Sequence, residues 1–299
     1  MSASVDAGDI HAIIGPNGAG KTTLVKMAAT ILNPSSGNVV VNGFDTVKSP
    51  SAARGSLGLV IGGELGFYPR ATARQNLRFF ADLAGVARSR LTSEIDRVLE
   101  LVALADRADD KVNTFSRGMV QRLHIARALL GEPNLLIMDE PTSGLDPDIA
   151  MTVRAIIKDL ANAGHAVLLT SHTMSEIEDL SSQISVLGAG RIFMSGNVGE
   201  IKERAGISVT SVGTLRVSDA HVIDTLADLP EIKDVKKSPK GANWAVTLLW
   251  KAPITPAQAH EAATRVFANS HVAVPVDFVS RLPTLEEAYV SMANELRRS

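Results

Sequence analysis

Four places in this 299-residue chain carry residues whose types and spacing suit phosphate chemistry. The first is Gly15-Pro16-Asn17-Gly18-Ala19-Gly20-Lys21-Thr22, with Thr23 next. It fits a glycine, four free positions, then Gly-Lys-Ser/Thr. Gly15, Gly18 and Gly20 open backbone conformations closed to bulkier residues. Successive N–H groups then turn inward as an anion cradle, backed by the positive end of a helix dipole. Lys21 can reach terminal phosphates as a point charge, the Thr22 hydroxyl is placed for Mg²⁺, and Thr23 can support a phosphate. The second place is Asp139-Glu140. An aspartate there can hold Mg²⁺ through water, and a glutamate beside it can orient and polarise an attacking water. The third is Ser116 with Gly118, where a hydroxyl at a helix start adds a second anion site to an ordinary cap. The fourth is His172; a lone histidine after a strand is more often structural than catalytic, so its position has to decide.

These residues need elements to hold them. A strand over Asp9 to Ile14 and a helix from near Lys21 to about Ile31 flank the phosphate loop. Leu135 to Met138 is a short apolar run suited to a strand buried on both faces. Asp139 and Glu140 then stand at its C-terminal end, where open α/β sheets bind ligands. Ser116 opens a helix over Arg117 to Leu130 that Gly131 and Pro133 end. Asp146-Pro147 reads as N-cap and first residue of a helix running to about Ala163. Ala166 to Thr170 is a strand delivering His172. Thr72 to Gln75 (TARQ) reads as a capping box opening a helix that ends near Gly85. A second helix, Ser89 to Val102, has apolar Leu91, Ile95, Val98, Leu99 and Val102 at helical spacing. A helical subdomain over about 72–132 follows.

In this order the motifs resemble an ATP-binding cassette (ABC) ATPase over about the first two-thirds of the chain. FSRGM at Phe115 to Met119 resembles that family's signature loop, LLIMDE its Walker B strand, SGLD at Ser143 to Asp146 its D-loop, and His172 in LLTSH its switch histidine. The fold implied is α/β, a P-loop NTPase ABC ATPase core with a helical subdomain. The resemblance implies ATP and Mg²⁺ as ligands, with Glu140 and His172 catalytic. It implies that Ser116 and Gly118 face the γ-phosphate of ATP held by a partner subunit and that Asp146 contacts across a dimer. Arg117 and Met119 replace the glycine and glutamine of the commonest signature, LSGGQ, a variant familiar among ABC type 2 drug and polysaccharide exporters. FYPRATARQNLRFF resembles the surface on which family members dock their permease; Phe79 and Phe80 also fit as core aromatics under a loop. The resemblance further implies additional N-terminal strands with an aromatic that stacks on adenine. Only Met1 to Gly8 precede the first strand, none of them aromatic, and a missing segment is the expectation. Family members carry a glutamine after the strand matching Leu57 to Ile61, where this chain has Gly63 and then Glu64. Glu64 is a candidate Mg²⁺-side ligand in its place. Glu64→Ala is then expected to weaken Mg²⁺-dependent ATP hydrolysis, and unchanged activity removes Glu64 from the metal set.

After about Gly206 the pattern changes. Strand (Thr214–Val217), helix (Ala220–Leu229), strand (Glu231–Lys237), strand (Trp244–Trp250), helix (Pro256–Ala268) and strand (Val272–Val279) give a β-α-β-β-α-β order, the ferredoxin-like arrangement. A last helix spans Leu285–Leu296. The expected domains are therefore 1–205, a nucleotide-binding domain, and 206–299, a C-terminal accessory α+β domain. Lys236, Lys237 and Lys240 read as a solvated hairpin end.

Thirty Lys+Arg against 32 Asp+Glu give a net charge of −2, so no global basic field points to nucleic acid. The chain has no cysteine, which excludes disulfides and thiolate metal sites. No apolar run is long enough to span a bilayer. The resemblance implies a cytoplasmic subunit, peripheral to the membrane through a separate permease, working as a homodimer around two ATP molecules. The leading reading is export, with multidrug resistance as the nearest theme; the alternative is a non-transport or regulatory ABC ATPase with weakened hydrolysis. The interval from Lys21 to Phe115 is too short for a chromosome-maintenance coiled coil, and no second phosphate loop suggests a translation factor. No Asn-Lys-x-Asp motif supports guanine specificity.

Overall fold

The computed structural model describes residues 2–61, 66–251 and 253–292. They form two compact units that divide between Ser195 and Gly196.

In the first unit β1 (Ile10–Ile14) leads through the glycine-rich loop into α1 (Lys21–Ala28). A short hairpin, β2 (Val40–Val41) and β3 (Phe44–Asp45), precedes α2 (Pro50–Gly55) and β4 (Leu57–Ile61). Then come α3 (Ala73–Leu83), α4 (Leu91–Leu101), α5 (Arg117–Ala128), β5 (Leu135–Asp139), α6 (Pro147–Asn162), β6 (Ala166–Thr170), α7 (Met174–Leu180), β7 (Gln183–Gly188) and β8 (Arg191–Gly196).

The main sheet has the order β4-β5-β6-β1-β7-β8. The pairs β4–β5, β5–β6, β6–β1 and β1–β7 are all parallel. All five residues of β1 and of β6 are buried, which is why both strands are largely apolar rather than alternating, with His11 and Thr170 the polar exceptions. Ile13, Ile137, Leu168 and Leu187 pack with Val25 and Ala28 of α1 into one core. The register aligns Ile61 with Asp139, Asp139 with Thr170, and Thr170 with Ile13. The loops after β1, β5 and β6 therefore leave the sheet side by side.

Helix α1 ends at Ala28, short of the expected Ile31. Thr30 takes a left-handed conformation (φ 61°), and the N–H groups of Ile31 and Leu32 both turn back to the Lys26 carbonyl. The Lys26 carbonyl, which a continuing helix would have bonded through the Thr30 N–H, is satisfied by this turn instead.

The helical arm is α3, α4 and α5, packed pairwise. The capping box at Thr72 and Gln75 is present in both directions. Two links fasten α4 to α5, the helix that carries Ser116. Buried Glu94 accepts two hydrogen bonds from Arg97 and one from the Gly131 N–H, and these partners hold its carboxyl below the usual glutamate range. Arg122 donates to the carbonyls of Val102 and Ala103, just past the end of α4.

The second unit holds α8 (Val198–Arg204), β9 (Val209–Arg216), α9 (His221–Ala227), β10 (Ile232–Lys240), β11 (Asn243–Trp250), α10 (Pro256–Asn269), β12 (Val279–Arg281) and α11 (Leu285–Ser291). Its sheet is antiparallel with the order β10-β11-β9-β12, and buried Trp250 and Phe267 lie in its core. The β-α-β-β-α-β order and this strand sequence are those of a ferredoxin-like α+β fold.

Several boundaries differ from expectation, and two of them change the architecture; the end expected for the last helix, at Leu296, lies outside the described residues. The units divide before α8 rather than at 205/206, because α8 packs against α11 and the Ser291 hydroxyl donates to the Ala205 carbonyl. The last strand is Val279–Arg281, not Val272–Val279. His271 is left-handed (φ 55°), the Val272 N–H returns to Phe267, and a turn at Pro275 brings the Phe278 N–H to the Pro275 carbonyl. The alternating valines at 272, 274 and 276 imitate a strand but belong to a loop.

Candidate functional site

The phosphate loop takes its shape from glycine. Gly18 (φ 82°) and Gly20 (φ 103°) are left-handed, and Gly20 is the N-cap of α1. A Cβ on Gly15 would lie 2.5 Å from the Leu187 carbonyl oxygen, inside the adjoining strand β7. Lys21 lies over the loop and donates from Nζ to the carbonyls of Gly15 (2.7 Å) and Pro16 (3.2 Å). Burial pushes its ammonium pKa down, and the carboxylates of Glu140 and Asp139 act in the opposite sense. Thr22 and Thr23 stand exposed in the first turn of α1.

Asp139 is the last residue of β5 and accepts a hydrogen bond from the Thr170 hydroxyl of β6. Glu140 follows in a left-handed conformation, φ 53°. For a non-glycine residue that costs on the order of 1–3 kcal/mol and persists only where surrounding contacts enforce it. Its N–H donates to the Thr170 carbonyl (2.9 Å), and its carbonyl accepts from the Ser143 N–H (3.2 Å). The turn carries the side chain to His172, with Nε2 2.8 Å from Oε2 of Glu140. Three motifs far apart in the chain thus meet at adjacent strand ends.

Ser116 and Gly118 have other partners. The Ser116 hydroxyl accepts from the Met119 N–H (3.3 Å), a true N-cap. Gly118 is buried, and a Cβ there would stand 2.3 Å from a methyl of Ile149. Arg117 donates to the Ser143 carbonyl (3.4 Å) and lies where a Cβ on Gly144 would reach its guanidinium. The start of α5 is therefore seated on the Ser143–Ile149 segment. Asp146 occupies the N-cap position of α6 in extended conformation, but its side chain makes no capping hydrogen bond. The capping role expected of that carboxylate is corrected; Pro147 at N1 needs no acceptor for an N–H it lacks.

The donor set fits Mg²⁺ brought in on phosphate. No cluster of three or more His, Asp or Glu exists among the described residues. One hydroxyl, one carboxylate and a phosphate cradle suit an ion that keeps most of its water and shares substrate oxygens. Gly63 and Glu64 lie outside the described residues.

Four residues of the site escaped the sequence reading: Thr170, Ser171, Thr142 and Glu176. All lie around a polar cavity of about 360 Å³ lined by Glu140, Thr142, Ser143, Ser171, His172 and Glu176, or at the strand ends beside it. Short hydroxyl residues at strand ends give no periodic signal.

On the arm, Phe79 is exposed rather than a core aromatic, and Phe80 is half-buried. Tyr68 packs edge-to-face on Phe79, and Phe67 on Phe80. Arg127 lies over the rings of Phe67 and Phe80 at 5.4 and 5.1 Å.

Residues 1–143 match the family model described as ABC transporter. The ATP-binding protein NatA of Bacillus subtilis is 36% identical over 203 residues, covering 68% of this chain and 82% of that protein. The daunorubicin resistance ATP-binding protein DrrA3 of Streptomyces coeruleorubidus is 32% identical over 296 residues, 98% of this chain and 90% of its relative. This chain belongs to the ABC transporter ATP-binding family. A solved ATP-binding subunit of an ABC transporter superposes with a TM-score of 0.61 at 28% identity, covering 68% of this ABC chain and 85% of that one. The first unit accordingly has the α/β architecture of an ABC ATPase core. Among the described residues, no helix of the ABC protein is long and apolar enough to cross a membrane.

Proposed function

We propose that this ABC protein binds and hydrolyses ATP to power export of a substrate through a separate membrane permease. The observation that carries the catalytic half is the Glu140–His172 pair at 2.8 Å, next to Asp139 at the end of β5. A regulator that has lost hydrolysis has no need of that alignment, nor of a glutamate held in a strained turn. The exporter half is supported by relatives such as DrrA3, named for daunorubicin resistance, and by the exposed aromatics Tyr68 and Phe79 on the arm, where a permease would dock.

Each residue then has a task. The N–H groups of Gly15 to Gly20 cradle the phosphates, and Lys21 leaves its two loop carbonyls for the terminal phosphates. Thr22 and Asp139 would hold Mg²⁺, which would supply positive charge beside the transferring phosphoryl group. Glu140 accepts a proton from the attacking water, and His172 fixes the Glu140 carboxylate and contacts the γ-phosphate. Ser116 and Gly118 cap the γ-phosphate of ATP in a second copy, and Asp146 lies at the same dimer contact.

Purification from the native membrane tests the transport assignment. ATPase activity is expected to co-purify with an integral-membrane chain and to rise when transported compounds are added. Full activity with no membrane chain attached, unresponsive to any reconstituted membrane fraction, overturns it.

A further inference from the structure

The carboxylate of Glu176 is buried in the first turn of α7, within the first unit. It accepts two short hydrogen bonds from two different loops. The Thr142 hydroxyl donates to Oε1 at 2.7 Å, and the Ser171 hydroxyl donates to Oε2 at 2.6 Å. Thr142 lies two residues after Glu140, and Ser171 immediately before His172. Ser171 Oγ also accepts the Thr173 N–H at 3.1 Å, so the histidine is braced on both sides.

We propose that Glu176 is a positioning residue that clamps the Glu140 loop to the His172 loop and so sets the distance between those two side chains. It touches neither substrate nor reacting atoms. At the strand ends the two loops are already joined, because Asp139 and the Glu140 N–H both bond to Thr170. That joint fixes backbone, but both side chains project beyond it, and His172 is largely exposed. A second joint further out is needed to hold the pair against solvent, and Glu176 supplies it. A buried carboxylate left without donors is costly, so Thr142 and Ser171 are held as firmly as they hold it. The left-handed turn at Glu140 needs such over-determination.

This inference rests on the proposed roles of Glu140 and His172. It is tested on the full-length chain by measuring kcat and KM for Mg²⁺-ATP and the affinity for a fluorescent ATP analogue. Glu176→Ala is expected to lower kcat by about 10- to 100-fold, as small misplacements of reacting groups do, with analogue affinity within about twofold of the parent. Glu176→Gln still spans both hydroxyls, one donating to its amide oxygen and the other rotated to accept from its amide nitrogen, and is expected to recover most of the rate. The double variant Thr142→Ala/Ser171→Ala should lose as much as Glu176→Ala, with little further loss when all three are combined. Parent kcat in Glu176→Ala overturns the clamp. So does a loss of binding and rate together that Glu176→Gln fails to restore, since that is general destabilisation. Glu140→Gln measured alongside separates the two ideas: if it hydrolyses normally the catalytic reading fails, and if it is inactive while Glu176→Ala is normal only the clamp fails.

Discussion

Replacing Glu140 with glutamine is expected to stop hydrolysis while leaving ATP in place. Glutamine keeps the shape of the side chain and tolerates the same left-handed turn, but it cannot take a proton from water. Loss of a general base costs about 10²- to 10⁴-fold in rate. The cradle of Gly15 to Gly20, Lys21 and Thr22 is untouched, so binding survives. With ATP persisting at both shared sites, the two copies should stay closed on each other. Size-exclusion chromatography with ATP is then expected to show a dimer that ADP does not support. Hydrolysis at the parent rate rejects Glu140 as the base, and an ATP-bound monomer rejects the sandwich built from Ser116 and Gly118.

Replacing Lys21 with alanine is expected to fail one step earlier, at binding. In the structure the lysine is held over the loop by two carbonyls and is partly stripped of water, which pushes its pKa down. Phosphate charge would restore what burial removes, so the ammonium is expected to bond more strongly to ATP than to Gly15 and Pro16. Hydrogen bonds to charged groups contribute about 1.5–3 kcal/mol each. Losing even one such contact weakens ATP binding by about tenfold or more, and the hydrolytic rate falls with it. Isothermal titration with ATP separates the two variants: Glu140→Gln binds without turnover, whereas Lys21→Ala does not bind well. Parent affinity in Lys21→Ala shows that the lysine never leaves the loop carbonyls.

Much of this site is legible in one dimension because its chemistry is local. Gly18, Gly20, Lys21 and Thr22 act through the backbone turn they themselves make. Asp139 and Glu140 declare themselves by following an apolar strand, and Ser116 by opening a helix. The left-handed Glu140 is not legible, since nothing in Asp-Glu-Pro signals a strained turn. Nor is the β12 boundary: the valines before it alternate like a strand, but His271 and Pro275 turn the backbone away from the sheet.

The sequence alone determined the chemical parts and the β-α-β-β-α-β order of the second unit, because periodicity and turn residues act over a few positions; the α/β core was implied by the resemblance its motifs carry. Only the tertiary structure decided which parts meet. The order β4-β5-β6-β1-β7-β8 sets the loops of Gly15, Glu140 and His172 side by side. The register between β5 and β6 places Asp139 against Thr170. Glu176 reaches Thr142 from another helix, and a side chain at Gly118 would have to displace Ile149, which lies against it. These pairings are set by strand order and packing between distant segments. No local pattern encodes them, because each side chain would be equally at home on a chain folded in another order.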